Sequence, residues 1–284
     1  TNSEGKLVFQ EGILVEAVRK GYWIVLDELN LAPTDILEAL NRLLDDNREL
    51  FIPETQETIK PHPEFQLFAT QNPAGAYGGR KMLSRAFRNR FQELHVGDIP
   101  LAELTTILAR RYSTASVFSQ RMINIMKDLQ RRRQGSKVFS GKSGFITPRD
   151  LFRWAERCRK IGNISSQQFA EQGYILLGER LRNDEEKLTV KKTIEKHFNR
   201  VEINPEVMYD CDHLPEWKEA QEYLNSPECT FPKIVWTHTM KRLFSILCSC
   251  LKYREPILFV GETGCGKTTV CQLYSLIKRQ KLHI

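Results

Sequence analysis

Two short segments near opposite ends constrain this chain more than anything else in it. Pro256 to Val260 is an apolar, strand-like run that leads into Gly261-Glu262-Thr263-Gly264-Cys265-Gly266-Lys267-Thr268, then Thr269 and a helical pattern continuing to about Lys278. The string fits GxxxxGK[ST], and it stands where such a loop has to stand, after a strand and before a helix. The glycines let backbone N–H groups close around phosphate oxygens, and the helix N-terminus adds the positive end of its dipole. Lys267 would then reach the β- and γ-phosphates of a nucleoside triphosphate, and the Thr268 hydroxyl would ligate Mg²⁺. The plainer alternative is a glycine-rich strand–helix turn that merely packs closely.

The other segment is Trp23 to Glu28, WIVLDE, a continuous apolar run ending in two acids. Such a run predicts a strand buried on both sides. Placed beside a phosphate loop, Asp27 would hold Mg²⁺ through water and Glu28 would polarise the attacking water as general base. Acids that cap the following helix are the alternative. A second buried strand is expected over Phe65 to Thr70, followed by Gln71-Asn72-Pro73. Asn72 at that tip would hydrogen-bond a γ-phosphate or position the water. Arg85, Arg88 and Arg90 lie in LSRAFRNRF, ahead of a last short strand expected over Phe91 to Val96. An arginine presented there can reach a neighbouring site and neutralise transition-state charge. Further on, Thr147-Pro148-Arg149-Asp150 opens a helix, with Thr147 as its cap, Pro148 in its first turn and Arg149 placed to touch a phosphate.

Between these motifs the pattern changes once. Up to about residue 98 short apolar runs alternate with helical stretches, as in an α/β unit. Leu7-Val8-Phe9 is a strand candidate, Gly12 to Lys20 a helix, and Pro33 opens another carrying Ile36, Leu37, Leu40, Leu43 and Leu44 at helical spacing. Gly75, Gly78 and Gly79 make a loop. From Pro100 to His197 the periodicity is helical, over 100–112, 118–133, 148–161, 166–178 and 184–198, with a loop from Gly135 to Gly144. Residues 199–233, with Pro205, Pro215, Pro227 and Pro232 and little periodicity, read as a linker, and a helix is expected over 237–253.

Charge follows the same division. Residues 1–100 carry 11 Lys/Arg against 15 Asp/Glu, 101–200 carry 21 against 10, and 201–284 carry 10 against 10, so the net +7 comes from the middle third, where Arg131, Arg132 and Arg133 run together. Such a face is either solvated or meets RNA or an acidic partner. Apolar residues make up 41%, which excludes wholesale disorder, and no stretch approaches the ~18 to 20 apolar residues of a membrane helix. The seven cysteines form no CxxC pair and no zinc spacing, so reduced thiols in an intracellular setting are expected. Thr1 to Lys6 contain neither an initiator Met nor a signal-peptide core, so the chain is expected to be soluble and need not begin where its gene does.

Taken in order, WIVLDELN, FATQNP, FRNRF and ITPRDL resemble the Walker B, sensor 1, arginine-finger and sensor 2 motifs of AAA+ ATPases, in the branch that contains MoxR-type ATPases and dynein. LVFQEGILVEAVRKGYWIVLDELNLAP, ATQNPAGAYGGRK and LFVGETGCGKTT resemble still more closely the repeated modules of the giant dynein-like AAA+ proteins of large-ribosomal-subunit assembly. The resemblance covers residues 1–198 and 234–284 and hardly touches 199–233. Within one such module the phosphate loop comes first and the acids soon after. Here Gly261 follows Asp27 by 234 positions.

The resemblance therefore implies parts of two consecutive modules, as a stretch cut from a tandem chain would give. The expected fold is α/β: a P-loop NTPase (AAA+) parallel-sheet core over 1–98, a helical lid over 99–198, a linker over 199–233 and the start of a second core over 234–284. It implies ATP and Mg²⁺ as cofactors, with Asp27 and Thr268 at the metal, Glu28 and Asn72 at the water, and residues 261–269 on the nucleotide. Arg90, or Arg88 beside it, would be the finger, serving an adjoining module. Arg149 would be sensor 2, acting on its own module's site or a neighbour's. Implied partners are the other modules of a six-membered ring in the same chain and nuclear pre-60S particles. Neither ATP site is complete here, so weak ATP binding and negligible turnover are expected of this stretch alone. A dynein-type motor module, a nucleotide-binding scaffold without turnover, and an RNA-binding module resting on 101–200 are the competing readings.

Overall fold

The structure, a computed structural model, describes residues 10–73, 81–135, 146–227, 229 and 231–284. The Leu7–Phe9 strand candidate, the Gly75–Gly79 loop and most of the Gly135–Gly144 loop lie outside the described residues. The chain divides into two compact units, Thr1–Asp98 and Ile99–Ile284. Among the described residues no helix is long and apolar enough to cross a membrane.

In the first unit, α1 (Ile13–Lys20) turns Ala17 and Val18 inward and stops at Gly21, whose left-handed backbone (φ 75°) returns its N–H to the Ala17 carbonyl. Next, β1 (Trp23–Leu26) precedes α2 (Thr34–Leu44), an amphipathic helix burying Leu40 and Leu43. An antiparallel hairpin comes after it, β2 (Leu50–Ile52) with β3 (Glu57–Ile59), whose three-residue strands are too short to show a period in sequence. Then β4 (Gln66–Ala69) lies parallel to β1, in the register Trp23↔Gln66 through Leu26↔Ala69. A one-turn α3 (Arg85–Arg88) is capped by Ser84 Oγ, which accepts from the Phe87 N–H. Val18, Leu29, Leu40, Leu43, Leu50, Ile52, Ile59 and Phe87 form the core.

Three strand expectations change in this unit. β1 and β4 are not buried on both sides, because the described residues cover only one face of the pair. Ile24 and Leu26 are half-buried while Trp23 (73% exposed), Val25 (62%) and Phe68 (43%) stand on the open face, the Trp23 and Phe68 rings tilted against each other with centroids 5.6 Å apart. Phe91 to Val96 forms no strand: among the described residues it finds no ladder partner, and Leu94 and Val96 are exposed.

The second unit is helical. After α4 (Leu101–Arg111) come α5 (Ser119–Gly135), α6 (Pro148–Ile161), α7 (Ser166–Leu177) and α8 (Asp184–His197), each within two residues of its expected bounds. Leu151, Trp154, Ala155 and Cys158, on one face of α6, are all buried. Trp154 donates its indole N–H to the Phe169 carbonyl at 2.8 Å, and its ring lies over Gly173, where a Cβ would fall 2.2 Å from Cζ2.

Residues 199–233, expected as a linker, are instead packed structure. They contain α9 (Pro205–Met208) and α10 (Pro215–Leu224), and they bury Ile203, Tyr209, Cys211, Trp217 and Ala220. Pro205 and Pro215 open these helices at their first turn rather than marking disorder. Trp217 packs against Trp236 and against Phe244 of α11 (His238–Lys252), and this core continues into Val270 and Leu273 of α12 (Lys267–Ile277). The stretch 256–260 is extended but, among the described residues, has no ladder partner, so it is not the fully buried strand expected. Ile257 and Phe259 turn toward that core while Leu258 and Val260 are exposed.

Polar locks tie helices α6 and α7 and the turn after α7 to α9, α11 and the turn beyond α11. The Arg157 side chain, 0% exposed, donates from Nε (3.0 Å) and Nη2 (2.5 Å) to the Glu255 carboxylate and from Nη1 to Gln172 Oε1 (3.1 Å). Lys160 donates to the Tyr253 carbonyl (2.7 Å), and Glu179 accepts from Tyr209 and pairs with Arg242.

Candidate functional site

The predicted site residues fall into two groups, one in each unit. In the first, the parallel pairing of β1 with β4 sets the C-terminal ends of both strands side by side. The register matches Leu26 with Ala69, so Asp27–Glu28 and Thr70 leave the sheet next to each other. The Thr70 N–H donates to the Leu26 carbonyl (3.0 Å) and the Thr70 carbonyl accepts from the Leu29 N–H (2.9 Å), so the ladder continues past the strands. The Thr70 hydroxyl bridges the two acids: it donates to Asp27 Oδ1 at 2.5 Å and accepts from the Glu28 N–H at 3.0 Å. Asn72 donates its side-chain amide to Glu28 Oε1 at 3.1 Å.

Glu28 has a left-handed backbone (φ 54°), uncommon for a residue with a side chain, and the chain then turns through a short 3₁₀ segment, Leu29–Leu31. Two carboxylates, a hydroxyl that fixes one of them and an amide that fixes the other can hold a hydrated divalent cation and accept a proton from water.

Asp27, Glu28 and Asn72 stand out in the sequence; Thr70 and Asn30 do not. Thr70 carries a register signal, since it follows the last apolar residue of one strand as Asp27 follows that of the other. Asn30, in the turn after the acids, has no such signal. It is 2% exposed, and its Nδ2 donates to the Asn72 carbonyl at 2.9 Å.

The arginines stand apart from these acids in their contacts. Arg90, following α3, pairs with Asp45 and donates to the Ala86 carbonyl (2.9 Å), with its side chain 29% exposed. Arg88 pairs with Glu93 at 3.2 Å. Arg149 occupies the second position of α6, exposed, with no hydrogen bond or ion pair to any described residue. Beside it the Thr147 N–H and hydroxyl both donate to Asp150, whose carboxylate also pairs with Arg180.

The second group is the loop Gly261–Thr269. Gly264 (φ 83°) and Gly266 (φ 82°) take left-handed turns that a side chain would strain, and a Cβ on Gly266 would fall 2.3 Å from Met240 Sδ. Among the described residues, the backbone N–H groups of Thr263 to Thr269 find no acceptor. Lys267 folds back over the loop, donating to the carbonyls of Gly261 (2.9 Å) and Glu262 (2.6 Å) and to Cys265 Sγ (3.4 Å). Thr268 is exposed at the start of α12. A row of unmet N–H donors, a lysine and a hydroxyl at a helix N-terminus is a donor set suited to a polyphosphate with its Mg²⁺, so the residues present fit a nucleoside triphosphate.

Comparison with known proteins gives the family. Residues 1–91 match the family model described as the AAA domain of the dynein-related subfamily, and residues 103–201 match the midasin AAA lid domain. Midasin of Dictyostelium discoideum is 60% identical over 291 residues, covering all of this chain and 5% of that protein. Midasin of Giardia intestinalis is 39% identical over 295 residues, covering 98% of this chain and 6% of that protein. An uncharacterised protein of Staphylococcus aureus (strain USA300) is 37% identical over 105 residues, 35% of this chain and 39% of its own length. The chain thus spans about a twentieth of the length of the midasins it matches.

Proposed function

The chain belongs to the midasin family of AAA proteins, and from that premise we propose that it contributes to two ATP sites of a tandem-module ATPase, supplying the acids of one and the phosphate loop of the next. One observation carries this reading: Asp27, Glu28, Thr70 and Asn72 are joined by hydrogen bonds at the adjoining ends of two parallel strands. In open α/β sheets, ligands bind beyond the carboxyl ends of the strands.

Asp27 would help hold Mg²⁺, Glu28 would accept the proton of the attacking water, and Asn72 keeps the Glu28 carboxylate aimed. In the other site the N–H groups of 263–269 and Lys267 take the phosphates, and Thr268 ligates the metal. When bound, Mg²⁺ would supply positive charge against the phosphates. Arg90, with Arg88 as the alternative, reaches an adjoining module's site, and Arg149 senses a phosphate. The complete protein closes a ring of six modules and couples turnover to the remodelling of nuclear pre-60S particles. The basic 101–200 segment is the surface offered to RNA or an acidic partner.

The test is made in the full-length protein. Glu28→Gln should retain ATP while removing this site's share of hydrolysis, since a positioned general base contributes ~10²- to 10⁴-fold. Lys267→Ala should lose ATP at the next site. Unchanged hydrolysis and remodelling in Glu28→Gln would establish the scaffold reading instead. The 284-residue chain alone should show no turnover above its own Lys267→Ala variant.

A further inference from the structure

We propose that Asn30 is a positioning residue for the Glu28 site: it fixes the main chain of Asn72, and through the Asn72 side chain it fixes the Glu28 carboxylate. The inference rests on the reading of Glu28 as general base. The contacts form a short relay. Asn30 Nδ2 donates to the Asn72 carbonyl at 2.9 Å, and Asn72 Nδ2 donates to Glu28 Oε1 at 3.1 Å. Asn30 is itself held from behind, because its carbonyl accepts the Lys81 N–H at 3.1 Å and its neighbour Leu29 bonds the Thr70 carbonyl. Among the described residues, nothing but Asn30 hydrogen-bonds the main chain of Asn72. Gln71 and Pro73 on either side of it are exposed, so packing does not hold that tip in place.

Burial argues that Asn30 does more than fill space. Asn30 is 2% exposed, and its Oδ1 is buried with no hydrogen-bond partner among the described residues. A buried acceptor without a donor is unfavourable, and an aliphatic side chain of similar size would avoid it. Only the Nδ2 donor is used, and it is used on Asn72. The same buried amide therefore carries a structural penalty and a contact that holds Asn72, as side chains supporting a reactive group commonly do.

Three measurements test this. In the 284-residue chain without nucleotide, Asn30→Leu should make the Asn72 side-chain amide protons exchange with water several-fold faster by NMR, with the melting temperature equal or higher. In the full-length protein, Asn30→Leu should lower the Glu28-dependent part of kcat roughly ten- to a hundred-fold, because small misplacements of a reacting group cost rates of that order. KM for ATP should stay within about twofold, since the phosphates are bound elsewhere. Asn30→Asp keeps the shape, loses the donor and adds a negative charge near Glu28. It should speed Asn72 amide exchange and lower kcat as Asn30→Leu does, whereas a shape-conserving change at a merely space-filling residue would leave both unchanged.

Unchanged Asn72 exchange and unchanged kcat in Asn30→Leu overturn the inference. If Asn30→Leu fails to fold, Asn30→Asp decides: faster Asn72 amide exchange with a lowered kcat supports the role, and unchanged exchange with wild-type kcat overturns it. Wild-type hydrolysis indifferent to Glu28→Gln would instead refute the general-base reading itself, and that result is read without any Asn30 variant.

Discussion

The Arg157–Glu255 pair makes an asymmetric prediction. Arg157 is fully buried and carries a charge that no accessible pH removes, while Glu255 is 24% exposed. Removing Glu255 leaves the guanidinium desolvated, with Gln172, a thiol at 3.5 Å and the Tyr253 ring as its remaining partners. Breaking a buried pair from that side costs about 3–5 kcal/mol, because an uncompensated charge stays inside. Replacing Arg157 by methionine keeps most of the buried volume, and the carboxylate left behind can recruit water. The loss is then that of a charged hydrogen bond partly replaced by solvent, about 1–2 kcal/mol.

Urea unfolding read by tryptophan fluorescence suits the comparison, since Trp154, Trp217 and Trp236 all lie in the second unit. At a shared slope, the midpoint of that unit's transition should fall two to three times further for Glu255→Ala than for Arg157→Met. Equal losses, or a larger one for Arg157→Met, would refute the argument that burial of the arginine decides the energetics.

Other contacts carry expectations of their own. Gly173→Ala should destabilise the second unit by at least about 1–3 kcal/mol, measured in the same urea experiment, because the new Cβ would meet the fully buried Trp154 ring. Asp128 is held below the usual carboxylate range by its hydrogen bond to Lys196 and then by that to His197. Its contribution is therefore present above the unfolded carboxylate's range and is lost as pH falls through the lower folded value. Asp128→Asn should lower the melting temperature at pH 7 and converge on the wild type in strong acid. Cys265 lies in the phosphate loop, so ATP with Mg²⁺ should slow its alkylation by iodoacetamide in the wild type and not in Lys267→Ala. Burial pushes the Cys158 thiol up to about 12, so it should stay unlabelled at pH 8 until the protein unfolds.

The helices are legible in sequence because each carries several turns of periodic apolar residues and a marked start. The α6 helix, with Thr147, Pro148 and its Leu151–Trp154–Ala155–Cys158 face, shows why. The strands are less legible. Tyr22 to Leu26 is apolar throughout, so composition points to burial on both faces where the described residues cover one. Phe91 to Val96 has strand-like residues, but a strand is defined by a partner, and sequence does not show one. Residues 199–233 mislead because proline density reads as a linker signal, while Pro205 and Pro215 open helices and Trp217 anchors a core. Within the site, Asp27, Glu28 and Asn72 stand out as polar groups ending apolar runs. Asn30 does not, because its importance lies in a contact 42 positions away.

The posture of Lys267 bears on how a ligand would enter its loop. The ammonium group already rests on two carbonyl oxygens of its own turn, so folding has stripped away part of its water before any guest arrives. An incoming polyphosphate would exchange neutral acceptors for charged ones instead of dehydrating a free cation. It would also release the Gly261 and Glu262 carbonyls on docking, so occupancy of the loop would be felt first at the end of the segment that leads into it.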